Sequence, residues 1–238
     1  MNKRYKAILY DMDGTLVPMD MKEFTDGYFR LLAKRLTPYN IPTDLLIDSI
    51  WKGTAAMVQN DGSRKNVEAF WEVFYKLTGV TDKSIEAECD DFYGREFKDA
   101  KAFTKDNDLA TEAVALSRQK ADLVALSTNP LFPMVGQVTR MSWVGLKPED
   151  FDLVTSYESD SYCKPNPKYY ETVCDRLGVT PSECLMIGND EEEDMYAACT
   201  LCGMDGFLVT DTMIKSKEHP WKGPKGSFED LIEMLKEL

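Results

Sequence analysis

Short apolar segments alternate with amphipathic segments along most of the chain. The apolar segments are bounded by turn residues, which is typical of buried strands. Between them, residues 107–119 and 167–177 repeat apolar side chains at helical spacing. The second of these begins with a proline and is followed by Gly178, the usual asymmetry of helix ends. The predicted strands are Lys6–Asp11, Asp122–Ser127, Phe151–Thr155, Glu183–Ile187 and Gly206–Val209.

This alternation predicts an α/β protein with a mostly parallel, doubly wound (Rossmann-like) sheet. Residues 20 to about 100 depart from it, because their periodicity is helical throughout. Four helices are expected there, beginning near Asp20, Thr43, Asn66 (as N-cap) and Asp82. We therefore expect a small all-helical domain at 19–100, inserted into an α/β core formed by 1–18 and 101–238. After Asp211 a polar loop leads to a short helix capped at Ser227 and Asp230.

The charge balance narrows the possible partners. The chain has 28 basic and 41 acidic residues in 238, a net charge of −13. Nucleic acids and anionic membranes need clustered Lys and Arg, so neither is expected as a main partner. With the single histidine, His219, neither a two-histidine phosphatase nor a multi-histidine zinc site can be built.

The sequence also bears on the compartment. Neither a secretory signal nor an uncharged stretch of membrane-spanning length is found, so a soluble, cytoplasmic protein is expected. Cys199 and Cys202 have CxxC spacing, but no second such pair could complete a zinc site. We expect reduced cysteines that act as small apolar residues.

Polar residues follow four of the predicted strands. They occur in the segments Asp11–Thr15 (DMDGT), Ser127–Pro130 (STNP), Lys164–Pro167 (KPNP) and Gly188–Asp194 (GNDEEED). In an open parallel sheet, ligands bind beyond the carboxyl ends of the strands. Two carboxylates about 4 Å apart repel by about 4 kcal/mol at an effective dielectric near 20, so such a cluster must take up protons or a cation. Oxygen ligands favour Mg²⁺ over zinc, and Mg²⁺ commonly shares a substrate phosphate.

Asp11 and Asp13 are two residues apart at the end of a predicted strand, so their side chains can emerge on the same side. One carboxylate can attack phosphorus, while the other protonates the leaving alkoxide and later deprotonates water. Gly14 allows a sharp turn. Thr128 can bind phosphoryl oxygens, and Lys164 can offset charge in the transition state.

The four segments, in this order, resemble the motifs of the haloacid dehalogenase superfamily. The resemblance covers roughly 4–16 and 105–212, and the helical insertion resembles the family's cap in position and type. It implies that Asp11 becomes an aspartyl phosphate and that Asp13 is the general acid/base, with its backbone carbonyl in the magnesium shell. Thr128 would bind the phosphoryl group, and Lys164 would hold both nucleophile and phosphate. The expected phosphate-binding set is Gly14, Thr15, Thr128, Asn129 and Lys164.

The last motif departs from the family pattern, because Asn189 stands where the first Asp of the longer spacing would be. Asp190 and Asp194 satisfy the shorter spacing. The expected metal ligands are therefore Asp11, Asp13, Asp190 and Asp194, with Asp194 acting through water or as a partner of Lys164. Asn189 could still reach the metal through its carbonyl oxygen. The intervening acids, Glu191, Glu192 and Glu193, are expected to form a solvated first helical turn.

These features predict a magnesium-dependent phosphomonoester hydrolase that acts on a small organic phosphate. Asp13 argues against dehalogenation, since expelling halide needs no proton. A sugar phosphomutase with the same Asp pair and a non-catalytic binding protein are the alternatives. Oligomeric state and substrate do not follow from the sequence. Four residues of the insertion could reach the site, but surface or packing roles are expected for them: Trp51, Lys52, Arg64 and Lys65.

Overall fold

A six-stranded, all-parallel sheet forms the centre of the molecule. The computed structural model describes residues 5–238, so the first four residues of the predicted core lie outside it. The strand order is β3-β2-β1-β4-β5-β6, which is doubly wound with its switch point between β1 and β4. The α/β prediction is thus confirmed. The strands are β1 Tyr5–Tyr10, β2 Ala121–Leu126, β3 Leu153–Val154, β4 Cys184–Gly188, β5 Asp205–Val209 and β6 Lys225–Gly226.

Five strands were predicted to within two residues at each end. The sixth, β6, was missed because it is very short and lies in a stretch predicted to be a polar loop. It pairs with the end of β5, where Leu208 is in register with Lys225. β3 is shorter than predicted, with only Leu153 and Val154 in register with β2.

Both faces of the sheet are buried, which explains why the strands are apolar runs. On one face, Ile8 and Tyr10 belong to a cluster that includes apolar residues of the helices Ala110–Lys120 and Phe228–Glu237. On the other face, Ala7 and Leu9 pack with residues of the helix Pro167–Leu177 and of a π-helical segment after β4. The helices are α1 Met21–Arg35, α2 Thr43–Val58, α3 Asn66–Thr78, α4 Ser84–Gly94, α5 Ala110–Lys120, α6 Met134–Trp143, α7 Pro167–Leu177 and α8 Phe228–Glu237, with a 3₁₀ segment Glu96–Phe103 and the π-helical segment Glu191–Leu201.

Residues 19–100 contain no strand, as predicted, and their helices α1 to α4 begin close to the expected positions. Asn66 is not an N-cap, however. It is the first residue of α3, fully buried, and its Oδ1 accepts a hydrogen bond from Asn60 Nδ2 at 2.9 Å. The division into a separate domain at 19–100 and a core of 1–18 and 101–238 stays a prediction, because one apolar cluster includes residues of both.

The helix ends follow the sequence signals elsewhere. α7 begins at Pro167 and ends before Gly178, which has a left-handed backbone (φ 69°). Ser227 and Asp230 form the expected capping box at α8. All six cysteines are free, and Cys199 is buried in the apolar cluster that includes α7. Within residues 5–238, no helix is both long and apolar enough to cross a membrane.

Candidate active site

The four motif segments meet at the carboxyl ends of β1, β2 and β4. Asp11 directly follows β1 and donates its backbone N–H to Ile187 O in β4 at 2.9 Å. Ser127 follows β2 and donates its N–H to Tyr10 O at 2.7 Å. The strand order therefore brings residues far apart in sequence to the switch point, where open α/β sheets bind ligands.

Lys164 lies at the centre of this group and is fully buried. Its Nζ donates to Asp11 Oδ1 at 2.8 Å and to Asp194 Oδ1 at 2.7 Å. Burial by itself would lower the pKa of Lys164, but the charges of Asp11 and Asp194 outweigh it and raise the pKa above its ordinary value. Lys164 is therefore a cation bridging two carboxylates.

The Asp11 carboxyl is nearly buried, at 7% exposure. Burial raises its pKa from 3.8 to about 8; Lys164 opposes this rise, and the charge of Asp194 adds to it. Burial also raises the pKa of Asp190. One lysine thus does not compensate the negative charge that converges here.

The Asp194 carboxylate stabilises the turn after β4 by hydrogen bonds. Its Oδ2 accepts hydrogen bonds from the backbone amides of Asn189 at 3.0 Å and Asp190 at 3.1 Å. Gly188 permits this contact, since a Cβ there would lie 2.1 Å from Asp194 Oδ2. Both Asp194 oxygens are used by protein groups. This arrangement favours the role of partner to Lys164 over that of direct metal ligand.

The side chains of Asp190 and Asn189 differ in their hydrogen bonds. The hydrogen bonds of the Asp190 carboxylate both use Oδ1, which accepts from Glu192 N at 2.7 Å and Glu193 N at 2.9 Å. The Asn189 side chain is 2% exposed; its Oδ1 accepts from the Thr15 hydroxyl at 3.1 Å and its Nδ2 donates to Thr212 O at 2.9 Å. Since the Asn189 oxygen already has a partner, the geometry favours Asp190 as the metal ligand of the two.

The turn after β1 explains the need for glycine at position 14. Gly14 has φ 89°, and a Cβ there would lie 2.2 Å from Asn189 Nδ2. Thr15 is fully buried, with its hydroxyl 3.4 Å from Asp11 Oδ2 as well as hydrogen-bonded to Asn189. Thr15 thus links the β1 turn to the β4 turn. The expected phosphate-binding roles of Gly14 and Thr15 stay predictions.

The segment after β2 contains buried polar atoms that no protein group satisfies. Ser127 Oγ and Asn129 Oδ1 have no hydrogen-bond partner among residues 5–238. Asn129 Nδ2 donates to Glu193 Oε2 at 3.0 Å. Thr128 is 1% exposed, and its carbonyl oxygen accepts from Thr155 Oγ1 at 2.7 Å and from Tyr169 Oη at 2.8 Å. Because unsatisfied buried polar atoms are costly, these two point to a ligand at this edge.

The acidic residues 191–193 form the first turn of the π-helical segment, as predicted, but only Glu192, whose side chain is 39% exposed, is solvated; Glu191 and Glu193 are largely buried, contrary to the prediction. Glu191 accepts hydrogen bonds from the backbone amides of Ser216 and Trp221. Glu192 accepts one from the Ser216 hydroxyl at 2.7 Å and pairs with His219 Nδ1 at 3.0 Å. Burial raises the pKa of Glu193 to about 7, against the opposing charge of Lys164. The loop after β5 thus supplies partners that lie far away in sequence.

Arg140 of α6 is a site residue that the sequence reasoning missed. It is fully buried and pairs through Nη1 with Asp13 Oδ2 and through Nη2 with Gln137 Oε1. Its guanidinium carbon lies 4.1 Å from the centroid of the Phe132 ring. The other carboxylate oxygen, Asp13 Oδ1, is buried without a hydrogen-bond partner within the described residues. An arginine in an otherwise largely apolar helix was the only sequence signal.

A cavity of about 150 Å³ extends from Asp13 between α1, α2, α3 and the segment after β2. Trp51 contributes to its lining, whereas the three basic residues Lys52, Arg64 and Lys65 do not. Lys52 pairs with Asp48 and Arg64 with Glu72. Lys65 donates to Ser159 O at 2.7 Å. The surface or packing role predicted for these residues fits the three basic ones, and Trp51 also fits it, since it is 53% exposed and packs edge-on against Phe29 while lining the cavity.

Oxygen atoms are the donors available to a metal at this site. Among residues 5–238, no group of three or more His, Cys, Asp or Glu side chains is arranged to hold an ion. Mg²⁺ does not require one, because it keeps several waters and is commonly bound through one or two carboxylates. Asp11, Asp190 and the backbone carbonyl of Asp13 fit that donor set, and the raised pKa values of Asp11 and Asp190 indicate charge that a cation would offset.

Comparison with known proteins identifies the family. The model of haloacid dehalogenase-like hydrolases matches residues 5–198. The chain belongs to this family of hydrolases. Among curated proteins, the chain is similar to glyceraldehyde 3-phosphate phosphatase of Methanothermobacter thermautotrophicus, at 32% identity over 90 residues. The matched residues are 37% of this chain and 39% of that relative, so the match spans well under half of the relative's length.

Two solved structures share the fold over nearly the whole chain. The HAD-hydrolase YfnB of Bacillus subtilis, bound to magnesium, has a TM-score of 0.59 and 21% identity, covering 98% of this chain and 99% of that one. L-2-haloacid dehalogenase of Xanthobacter autotrophicus has a TM-score of 0.60 and 17% identity, covering 98% of each. At such identities these similarities show the fold alone, and they include different chemistries.

Proposed function

We propose that this protein is a magnesium-dependent phosphomonoester hydrolase that acts on a small organic phosphate through an aspartyl-phosphate intermediate. The observation that carries the proposal is the pairing of buried Lys164 with both Asp11 and Asp194 at the switch point. Lys164 is positioned to hold the Asp11 carboxylate and to offset negative charge on a phosphoryl group beside it.

In the proposed reaction, an Asp11 oxygen attacks phosphorus and the P–O bond to the leaving alcohol breaks. The alkoxide departs with the bonding electron pair and takes a proton from Asp13. Asp13 then removes a proton from water, which attacks phosphorus, releases phosphate and restores Asp11. Asp13 is suited to face the leaving group because it lines the cavity, and its Oδ1 has no protein partner among the described residues.

Thr128 and Asn129 are proposed to bind phosphoryl oxygens together with the turn at Gly14 and Thr15. The unsatisfied Ser127 Oγ and Asn129 Oδ1 support a polar ligand at this position. Mg²⁺ would be held by Asp11, Asp190 and the Asp13 carbonyl, with Asp194 acting through Lys164, and would neutralise phosphate charge when bound.

Residues 19–100 are proposed to act as a cap on a core of 1–18 and 101–238. The cavity beside Asp13 supports this, since α1, α2 and α3 supply most of its lining. Helices over this end of the sheet would exclude water from the reacting groups. We also place the reaction in the cytoplasm, and six free cysteines fit a reducing compartment.

The test is hydrolysis of p-nitrophenyl phosphate by purified protein with Mg²⁺. Asp11→Asn should lower kcat by about 10⁴-fold or more, because it removes the nucleophile. Rapid acid quench of the wild type should yield a phosphorylated protein that hydroxylamine cleaves, and the variant should yield none. Asp26→Asn, an exposed change of the same charge, should retain activity. Undiminished turnover by Asp11→Asn would contradict the mechanism.

A further inference from the structure

The cavity beside Asp13 has an apolar, largely aromatic wall. Its side chains include Phe24, Phe29, Phe70, Trp71 and Phe74. Two of its hydroxyl groups satisfy each other, since Tyr28 Oη and Tyr93 Oη are 2.6 Å apart. A ligand in this space would thus meet mainly rings and aliphatic side chains, with few hydrogen-bonding groups.

The cavity carries no positive charge of its own. Among the described residues that line it, none is Lys, Arg or His, and Asp13 is the only charged one. Arg140, which contacts the lining residues Asp13 and Phe132, is fully buried against the Phe132 ring and already paired with Asp13. A carboxylate or second phosphate placed in the cavity would lose its hydration without gaining a partner.

Asp13 lies at the end of the cavity where the proposed reaction would occur. Asp13 Oδ1 is buried and has no hydrogen-bond partner within residues 5–238, while Oδ2 is held by Arg140. The cavity therefore has Asp13 at one end, where the ester oxygen of a substrate would lie, and a largely apolar lining beyond it, in which Thr25 and Thr54 are further polar residues. Its volume, about 150 Å³, matches that of apolar cavities known to hold a benzene molecule, about 150 Å³.

We propose that this cavity binds the leaving group, and that the substrate is the phosphate monoester of an apolar, uncharged alcohol of about benzene size. The proposal rests on the phosphatase function proposed above and specifies its substrate class. It excludes sugar phosphates and phosphorylated carboxylic acids as preferred substrates. It also opposes the phosphomutase alternative, because a bisphosphorylated sugar would place a second phosphate in a cavity lined without a cation.

The first experiment measures kcat/KM with Mg²⁺ for ethyl, butyl and hexyl phosphate, glucose 6-phosphate and phosphoglycolate. The alkyl series keeps the leaving alcohol chemically similar while its apolar surface grows. We expect kcat/KM to rise about fourfold per methylene, which corresponds to about 0.8 kcal/mol for each buried CH₂. Glucose 6-phosphate and phosphoglycolate should fall about 100-fold below hexyl phosphate, because their polar groups would be buried unpaired.

The outcomes separate the two proposals. Hydrolysis of none of these esters would overturn the phosphatase function itself. Hydrolysis with a flat alkyl series, or with glucose 6-phosphate or phosphoglycolate preferred, would overturn the substrate class while leaving the phosphatase function intact.

A pair of variants tests whether this cavity determines the preference. Thr54, a partly buried lining residue of α2, is changed to Lys or to Met, which add similar length with and without charge. Thr54→Lys should lower kcat/KM for hexyl phosphate about tenfold and raise the ratio of phosphoglycolate to hexyl phosphate turnover, whereas Thr54→Met should keep the alkyl preference. Equal ratios in both variants would contradict the assignment.

Binding without turnover provides an independent measurement. In Asp11→Asn protein, hexan-1-ol should change the tryptophan fluorescence saturably, because Trp51 and Trp71 line the cavity. Glycerol at the same concentrations should not. Trp51→Phe should reduce the signal from hexan-1-ol. Absence of a saturable change with hexan-1-ol would argue against an apolar leaving-group site.

Discussion

Two fully buried cations, Lys164 and Arg140, are each paired with an aspartate of the turn that follows β1. Lys164 contacts Asp11 and Asp194 among acidic and polar groups. Arg140 contacts Asp13, lies against the Phe132 ring and leaves its Nε buried without a partner among residues 5–238. The same short turn thus borders two environments. In the proposed function, the first would hold a dianionic phosphate and a cation, and the second would face an uncharged leaving group.

The largest effect is expected for Lys164→Met. Removing the cation leaves Asp11 and Asp194 buried without their partner, so the free energy of unfolding should fall by about 3–5 kcal/mol. kcat/KM should fall about 10²–10³-fold, the scale for losing a group that stabilises transition-state charge. Urea unfolding and steady-state kinetics measure both. The exposed Lys168→Met is the control, and equal effects of the two changes would refute the special position of Lys164.

Mg²⁺ bound near Lys164 should stabilise the folded protein. At a concentration 100 times its Kd, the ion should raise the free energy of unfolding by about 2.7 kcal/mol, if it binds only the folded protein. Asp190→Asn should remove most of this gain, whereas the exposed Glu149→Gln, with the same charge change, should retain it. Thermal unfolding with EDTA or Mg²⁺ measures the difference. If Asp190→Asn kept the full increase in the free energy of unfolding with Mg²⁺, another residue would have to be the metal ligand.

Arg140→Met should have a smaller effect. Asp13 and Gln137 would lose their common partner, and the expected cost is about 1–3 kcal/mol, since Asp13 remains partly exposed. Arg140→Lys should rescue only part of the loss, because an ammonium lacks the planar fork that contacts both residues. Urea unfolding of the three proteins provides the measurement. Wild-type stability in Arg140→Met would mean that this buried pair contributes nothing net.

The smallest effect on the free energy of unfolding is expected for the ion pair of Lys6 and Glu183 at the surface. This pair serves as a comparison for the buried pairs. Its atoms Nζ and Oε1 are 2.6 Å apart, and the hydrogen bond from Lys6, together with those from the Thr180 amide and hydroxyl, lowers the pKa of Glu183 to about 2. A lowered pKa contributes stability above the ordinary value of 4.5 that is lost as the pH falls through about 2. Glu183→Gln should therefore destabilise slightly at pH 7, and the difference should vanish near pH 2. A difference that persists there would point to packing instead.

The central strands and the four motif segments could be predicted because their signals are local. A strand buried on both faces is an apolar run, and the residues after it lie at one edge of the sheet. Arg140 and the partners of Glu191 and Glu192 could not be predicted in this way. Each depends on a contact with a distant segment, as when Ser216 and Trp221 approach the acidic turn from the loop after β5. β6 was missed because two residues carry too little pattern to distinguish a strand from a loop.

The pairing of β1 has a consequence during synthesis. β1 ends at Tyr10, yet its neighbours in the sheet are β2, which begins at Ala121, and β4, which ends at Gly188. At ribosomal rates of about 5–20 residues per second, the interval between making β1 and completing β4 is roughly 10 to 35 seconds. Throughout that time this central strand, in which five of six residues are buried in the folded protein, has at least one unpaired edge. The edge of the sheet at which the four motif segments meet can therefore form only when β4 has been made.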